Sequence, residues 1–567
     1  MTRVVVTAPL EKDSPDGSTL VSQEPGAPGP GLRNAALYVA VGIVGLWFVF
    51  EPTLGSRLRL MQSDPGDPVF IGYVFEHIRS CLLRPDYAGT LWSPPFFFPT
   101  RDALAYSENL LGAFPIYLLL RLGLEPLTAT QVFAMAAFVL CYASFLWLLR
   151  ASAVRPGLSA LCAFVFAFGS FRAFHVGHLH LLVQFYSPPA LVALALFLRR
   201  PTRVALGCFL CATYLQLLAS IHAGWFLVFS TTVFGALYLV LDQEARRRVG
   251  AFVHQRPGFL AGAGLAWGLA SALSLWPYLR VSRILDGRSW ETVELFLPRV
   301  RSWLSAPPGS LHAGWLPAYE ASYPVSWEHH LFPGVIPIVF ALFAFRRSAG
   351  PTSGRGSGVL LGKAAVLTAV VLAALSTVVF LDRWWIGGPF GQTIGASPWR
   401  LIYEFVPGAS GIRAVSRIWL ATHLFLLWGG AIGAQRALAG LAPHLQRAAI
   451  GAVLLLGIVE QRVPRPPSFE KATVQRDVEA VSRRMAPGCR VAYLAVRPDR
   501  PFFVSHLVAM WAGLKANVPV VNGYSGAFPP GYPNPTILAP PEEIGRWLKG
   551  QPQEGLCYLT WPAGEAP

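Results

Sequence analysis

Two carboxylates stand close together in the turn Asp64-Pro65-Gly66-Asp67-Pro68, about a dozen residues after the first apolar run, 36–50. A membrane interior rejects a carboxylate at a cost of a few kcal/mol or more. The pair therefore reads as a site at the membrane face. A carboxylate there can take a proton from an acceptor hydroxyl or bind a divalent cation. Asp-Pro and Pro-Gly are also ordinary turn residues. Asp67 is the first candidate for a base and Asp64 the second, because Asp67 lies deeper in the turn, just before the amphipathic run 69–78. The same loop carries Trp92-Ser-Pro-Pro-Phe-Phe-Phe-Pro99, then Arg101, Asp102 and Glu108. Aromatic residues with Pro suit a platform in the headgroup layer.

Three further groups have chemical potential. In Phe171-Arg172-Ala-Phe-His175-Val-Gly-His178-Leu-His180, three His fall within six residues. They could bind a metal, but the spacing matches no strong motif and fits interfacial His with backbone or water partners better. Arg172 is placed to pair with a lipid phosphate. Loop 280–330 gathers Arg280, Arg283, Arg288, Arg299 and Arg301 around Glu291 and Glu294 and ends in Trp327-Glu328-His329-His330. Arg is the preferred side chain for bidentate phosphate contacts; a charge-balanced surface helix would carry the same residues. Arg413 and Arg417 lie one helical turn apart, on one face, where an apolar run begins. They suit an anionic headgroup or pyrophosphate, or a snorkelling anchor.

The elements that position these residues follow from composition. The chain has 567 residues, 53% hydrophobic and 13% charged, with a mean hydropathy of +0.46. Soluble domains carry roughly 25% charged residues. The expected fold class is therefore mainly α: a polytopic helical membrane bundle with a small C-terminal α/β extracytoplasmic domain. The net charge of +16 fits topology and anionic lipid headgroups; no nucleic-acid motif is present. Abundant Arg, Ala, Gly and Pro suggest a bacterium of high genomic G+C.

Apolar runs at 36–52, 127–149, 156–171, 179–198, 204–221, 225–241, 258–278, 331–346, 363–381, 417–436 and 447–461 predict about 11 transmembrane helices. Segment 106–122 holds Pro115 and is followed by Glu125-Pro126, which predicts a shallow or re-entrant element. Arg-rich short loops after residue 150 mark one side as cytoplasmic. The N-terminus is then inside and the C-terminus outside, in the inner membrane. With 106–122 as a full span, the N-terminus would be outside. Residues 1–34 read as a disordered cytoplasmic tail, and the first run as a signal anchor. The membrane module is 35–461, with outer loops 53–105, 280–330 and 382–416; residues 462–567 form a periplasmic domain of alternating helices and strands.

The seven Cys form no CxxC and no metal pattern. Cys141, Cys162, Cys208 and Cys211 lie in apolar runs as packing residues. Cys489 and Cys557 begin two predicted strands. A disulfide between them requires Cα atoms within about 7 Å, and two reduced buried thiols remain the other reading.

Together these segments resemble the GT-C superfamily of membrane glycosyltransferases, and within it the bacterial YfhO-like and uncharacterised glycosyltransferase-like membrane proteins. The likeness rests on the layout and on Gly66-Asp67-Pro68, Phe98-Pro99 with Ser107-Glu108-Asn109, Glu328-His-His-Leu-Phe-Pro-Gly334, and Pro407-Gly408 with Arg413 and Arg417; it covers most of residues 36–460. It implies an inverting transfer of a sugar from a polyprenyl-phosphate donor to a lipid or cell-envelope glycan. The catalytic Asp would fall on Asp67 or Asp64. Arg413, Arg417, Arg172 and Arg288 would serve the donor phosphate, and Glu328, His329, His178 and Glu294 the acceptor or cavity. A strict Asp-x-Asp metal motif is absent, so a divalent metal stays possible and no cofactor is certain. The rival readings are a flippase or transporter of lipid-linked glycans, and a non-catalytic envelope assembly protein.

Overall fold

The computed structural model describes residues 31–317, 323–346, 357–378, 397–485, 488–551 and 554–561. Nearly all of the tail expected at 1–34 lies outside the described residues, as do 318–322 of the loop 280–330 and 382–396 of the loop 382–416.

The chain is a multi-pass helical membrane protein. In order, its helices are α1 (Gly31–Gly55), α2 (Asp67–Leu83), α3 (Phe114–Leu120), α4 (Pro126–Ala151), α5 (Pro156–Phe168), α6 (Ser170–Phe174), α7 (Leu179–Leu182), α8 (Ser187–Arg199), α9 (Arg203–Ala219), α10 (Ile221–Leu241), α11 (Gln243–Gln255) and α12 (Pro257–Ile284). There follow α13 (Trp290–Leu295), α14 (Val300–Trp303), α15 (Val335–Phe343), α16 (Ser357–Ser376), α17 (Trp399–Phe405), α18 (Trp419–Leu438), α19 (Pro443–Glu460), α20 (Lys471–Met485), α21 (Phe502–Ala516) and α22 (Pro541–Trp547). The apolar runs expected as spans are helical over most of their described length. Among the described residues, eight helical segments are long and apolar enough to cross a membrane. The remaining three expected spans correspond to α9, α15 and α19, of 17, 9 and 18 residues. Within 106–122 only α3 is α-helical, and its 7 residues rise about 10 Å, too little to cross.

Capping starts these helices where the sequence changes character. Glu125 accepts from the backbone N–H of Leu127 and Thr128 ahead of α4. Ser220 does so from Ala223 ahead of α10, and Asp242 from Ala245 ahead of α11. Each satisfies an orphan donor of the first turn. In the bundle α18 is the central helix, packed on α15 and α16 through glycines. A Cβ at Gly433 would stand 2.4 Å from the Ala344 nitrogen, and one at Gly429 2.5 Å from the Gly362 carbonyl oxygen. Small residues allow this backbone approach, the usual means of helix association where lipid supplies no hydrophobic drive.

The C-terminal part is stitched to the loop after α1. Strand β1 (Leu60–Gln62) pairs antiparallel with β2 (Ser468–Glu470), which follows α19. Farther on, β3 (Val491–Leu494) pairs parallel with β4 (Leu556–Leu559), and Val520 adds one bridge to Ala492. Cys489 and Cys557 are joined by a disulfide beside this sheet, with Cα atoms 5.5 Å apart.

The aromatic loop does not lie as a headgroup platform. Phe96 and Phe97 are fully buried, with Phe97 against Tyr532, Phe528 and Tyr106. The backbone of 95–98 runs alongside 520–522: Phe97 N donates to Asn522 O, Phe98 N to Val520 O, and Val520 N to Pro95 O. Trp511 closes the junction by donating to the Val69 carbonyl at 3.1 Å. Residues 53–105 and the C-terminal segment thus share one core. The physical reason is area: three consecutive aromatics bury several hundred Å² when a partner sheet is present.

Candidate functional site

The turn before α2 is built by its own residues. Asp64 Oδ1 accepts from the Gly66 N–H at 2.8 Å, so this carboxylate shapes the turn and is exposed. Gly66 caps α2, and Pro68 sits in its first turn with Asp67. A carboxylate at a helix N-terminus is favoured by the orphan N–H groups and the helix dipole.

Asp67 is held from two other parts of the chain. Its Oδ1 accepts from the Tyr524 hydroxyl at 2.9 Å, and its Oδ2 stands 2.9 Å from His178 Nδ1 and 4.0 Å from His180 Nδ1. The Asp67 side chain is 19% exposed. Burial pushes its pKa up, but the His178 contact, the two imidazoles and the Tyr524 hydrogen bond outweigh this and hold it below the usual carboxylate range. Burial works the other way on His178, and the Asp67 contact overcomes it to raise the imidazole. Tyr524 is raised by burial and by the Asp67 charge. Its ring is fixed by Phe70 and Phe503, with centroids 5.6 and 6.0 Å away.

A second acid–His pair adjoins the first. Glu108 takes His222 Nδ1 at 2.6 Å and caps α10 by accepting from the Ile221 N–H at 2.5 Å. His180 lies in the field of both Asp67 and Glu108. Burial raises Glu108, but the His222 and His180 contacts and the helix N–H groups prevail and lower it.

Two cations bear on these groups: Arg413 feels Asp67, and Arg417 acts on His178. Arg417 is committed to Glu328: Nη2 to Oε1 is 2.6 Å, and Nε to Oε1 is 3.1 Å. The Ser416 hydroxyl donates to the same carboxylate at 3.2 Å. Burial raises Glu328, yet Arg417 carries it well below the usual range. Arg413 lies over the Phe296 ring at 5.1 Å. It is lowered by burial and by its neighbours Arg417 and Arg288, and it feels Glu328 and Asp67. Arg288 donates to the Gly526 carbonyl at 3.3 Å. Among the described residues, neither Arg413 nor Arg288 has a carboxylate within ion-pair distance. Both are half-buried.

The residues singled out from sequence thus divide. Asp67, His178, Arg413, Arg417 and Glu328 come together, with Asp64 and Arg288 at the margin. Arg172 does not join them. It is buried in the bundle, donates to the Leu182 carbonyl at 2.8 Å and to Gln184, and lies on the Phe166 ring. It is thereby turned away from any lipid phosphate. His329 is buried between the Ser302 hydroxyl at 2.9 Å and the Leu295 carbonyl at 3.0 Å, so both ring nitrogens serve the loop rather than a cavity. Glu294 lies half-buried on α13. His175 turns inward, 2.9 Å from the Phe171 carbonyl. Sequence reasoning missed Tyr524 and His222. The one signal for Tyr524 is its place in the glycine-flanked stretch Asn522-Gly-Tyr-Ser-Gly526; His222 carries none.

A divalent metal would need converging ligands. Among the described residues, no three His, Cys, Asp or Glu side chains are placed to hold a metal ion. The site combines an imidazole beside a carboxylate with the guanidinium of Arg413 in the field of that carboxylate.

No protein-family model matches the chain, and no curated protein matches it in sequence. The structure is similar to that of the oligosaccharyltransferase AglB from Archaeoglobus fulgidus in complex with an inhibitory peptide and a dolichol-phosphate. The identity is 11% and the TM-score 0.43, over 86% of this chain and 64% of that one. It is also similar to an Archaeoglobus fulgidus oligosaccharyltransferase tethered to an acceptor peptide, at 12% identity and a TM-score of 0.41, over 88% and 65%. The chain spans less than two thirds of the length of either.

Proposed function

We propose that this protein is a membrane glycosyltransferase. It moves a sugar from a polyprenyl-phosphate donor to a hydroxyl on a lipid or cell-envelope glycan, at the outer face of a bacterial inner membrane. One observation carries the reading. Arg413 stands in the field of Asp67 with Arg288 as its neighbour, and among the described residues these half-buried cations have no carboxylate within ion-pair distance. Withdrawing a cation from water is costly unless it is paired, so these guanidinium groups favour an incoming anion. Arg binds a phosphate through its planar fork. A phosphate held there places its sugar toward the groups that can take a proton. Apolar helices around the site supply a surface for the polyprenyl chain.

In this reading residues 53–105 and 280–330 lie outside the membrane with the C-terminal segment. Cys substituted at Thr90 and at Leu311, both exposed, should react with an impermeant thiol reagent in intact cells. Reaction of both only after permeabilisation would reverse the topology. Ser310, a neighbour in the same loop, is buried and unsuited to this probe.

The activity is tested with full-length protein in nanodiscs, given labelled polyprenyl-phosphate hexoses and pentoses with total envelope lipid as acceptor. Wild type should release polyprenyl phosphate and label an acceptor. Asp67→Asn should lower kcat by about 10²–10⁴. Undiminished turnover in that variant would reject the site.

A further inference from the structure

The two oxygens of Asp67 are both engaged. Oδ1 takes the Tyr524 hydroxyl, and Oδ2 lies against His178 Nδ1. These contacts hold Asp67 below the usual carboxylate range, which makes it a weak acceptor for a substrate proton. The imidazole it backs has the opposite character. His178 Nδ1 is turned to Asp67, and Nε2 has no protein partner among the described residues. The side chain is 33% exposed, enough for a substrate hydroxyl to reach it. His178 lies in the short connection between α6 and α7, as the N-cap residue of α7, between two helical segments long enough to cross a membrane.

We propose that His178 is the catalytic base of the transfer, and that Asp67 and Tyr524 are positioning residues acting through it. The assignment rests on the glycosyl-transfer reading above and deepens it. A half-buried carboxylate 2.9 Å from Nδ1 favours the proton on that nitrogen, which leaves the Nε2 lone pair free, and it stabilises the imidazolium once formed. In the step, the acceptor O–H gives its proton to His178 Nε2. The acceptor oxygen bonds to the anomeric carbon, and the bond from that carbon to the phosphate oxygen breaks. The phosphate leaves with the electron pair beside Arg413 and Arg288, and the imidazolium later releases its proton to water. The groups that set the titration of His178 come from every side: Asp67 on α2, Glu328 in the 280–330 loop, Arg417 before α18, and His175 and His180 on its own segment.

The test uses the full chain in nanodiscs with the labelled donors above, comparing wild type, His178→Gln, His178→Ala and Asp67→Asn. Thermal unfolding of each variant within a few degrees of wild type confirms the fold. The expected result for His178→Gln is a loss in kcat of about 10²–10⁴ with little change in donor KM. The acid limb of the wild-type pH–rate profile should vanish in His178→Gln and move to lower pH in Asp67→Asn, where the imidazole loses its negative neighbour. Added imidazole should restore part of the rate to His178→Ala, which a structural role would not allow. An acid limb unchanged in His178→Gln, or a loss confined to KM, would overturn the assignment. If wild type itself turns over none of the donors, the transfer reading falls and this assignment with it.

Discussion

Removing the guanidinium of Arg417 tests whether the cations of this site differ in role. Glu328 and Arg417 are 1% and 12% exposed, with nitrogen to oxygen at 2.6 Å. Solvent screens so buried a pair very little. Arg417→Met leaves a carboxylate almost fully out of water with only the Ser416 hydroxyl, and taking one partner from a buried pair costs about 3–5 kcal/mol. Glu328→Gln is milder. It keeps an acceptor for Arg417 and exchanges a charge-assisted bond for a neutral one, about 1–2 kcal/mol. Replacing both, as Glu328→Leu with Arg417→Met, removes the stranded charge and should restore much of the loss. The assay is denaturant unfolding in mixed micelles, read as a double-mutant cycle. The pH dependence has a definite sign. Glu328 is held below its unfolded value near 4.3. Its contribution is therefore complete above that value and disappears as pH falls through the lower folded value. The gap between wild type and Arg417→Met should accordingly shrink below about pH 4. A single mutant as stable as wild type, or a cycle with no coupling, would refute the pairing. It would also return Arg417 to the pool of phosphate ligands.

Arg413→Met should weaken binding of a non-hydrolysable polyprenyl-phosphate analogue about tenfold or more, from a charge-assisted contact worth about 1.5–3 kcal/mol; unchanged affinity in both Arg413→Met and Arg288→Met would remove the phosphate from this place. Gly523→Ala puts a Cβ 2.2 Å from the Phe97 ring, and overpacking of that kind costs about 1–3 kcal/mol. It should also lower turnover by displacing the adjacent Tyr524, seen as a fall in kcat beside a fall in melting temperature. Cys557→Ser should destabilise the C-terminal segment by up to about 4 kcal/mol, because the bond to Cys489 closes a long loop. Protease sensitivity of 489–561 measures this, and resistance equal to wild type would count against the bond.

The helical bundle was legible in the sequence because lipid offers backbone groups no partner. Long apolar runs must then be helices, and the expected runs are. The Asp64–Asp67 turn was legible for a similar reason: Pro, Gly and Asp act through local geometry, and Asp64 does bond to Gly66 two residues on. The alternation of helices and strands expected over 462–567 was likewise a matter of local pattern, and α20 (Lys471–Met485), β3, α21 (Phe502–Ala516), α22 and β4 follow it. What each polar side chain faces was not legible. Asp67 meets Tyr524 across 457 residues, and no window of sequence contains both. The same Arg residue type ends as a half-buried cation without an acid at 413, a neutralised one at 417 and a bundle anchor at 172. Phe96 and Phe97 suited a membrane surface equally well until the 520–522 segment covered them. Local rules decide which backbone a residue adopts. A charge or a ring takes its role from its nearest neighbours in space, and only the packed tertiary structure supplies those.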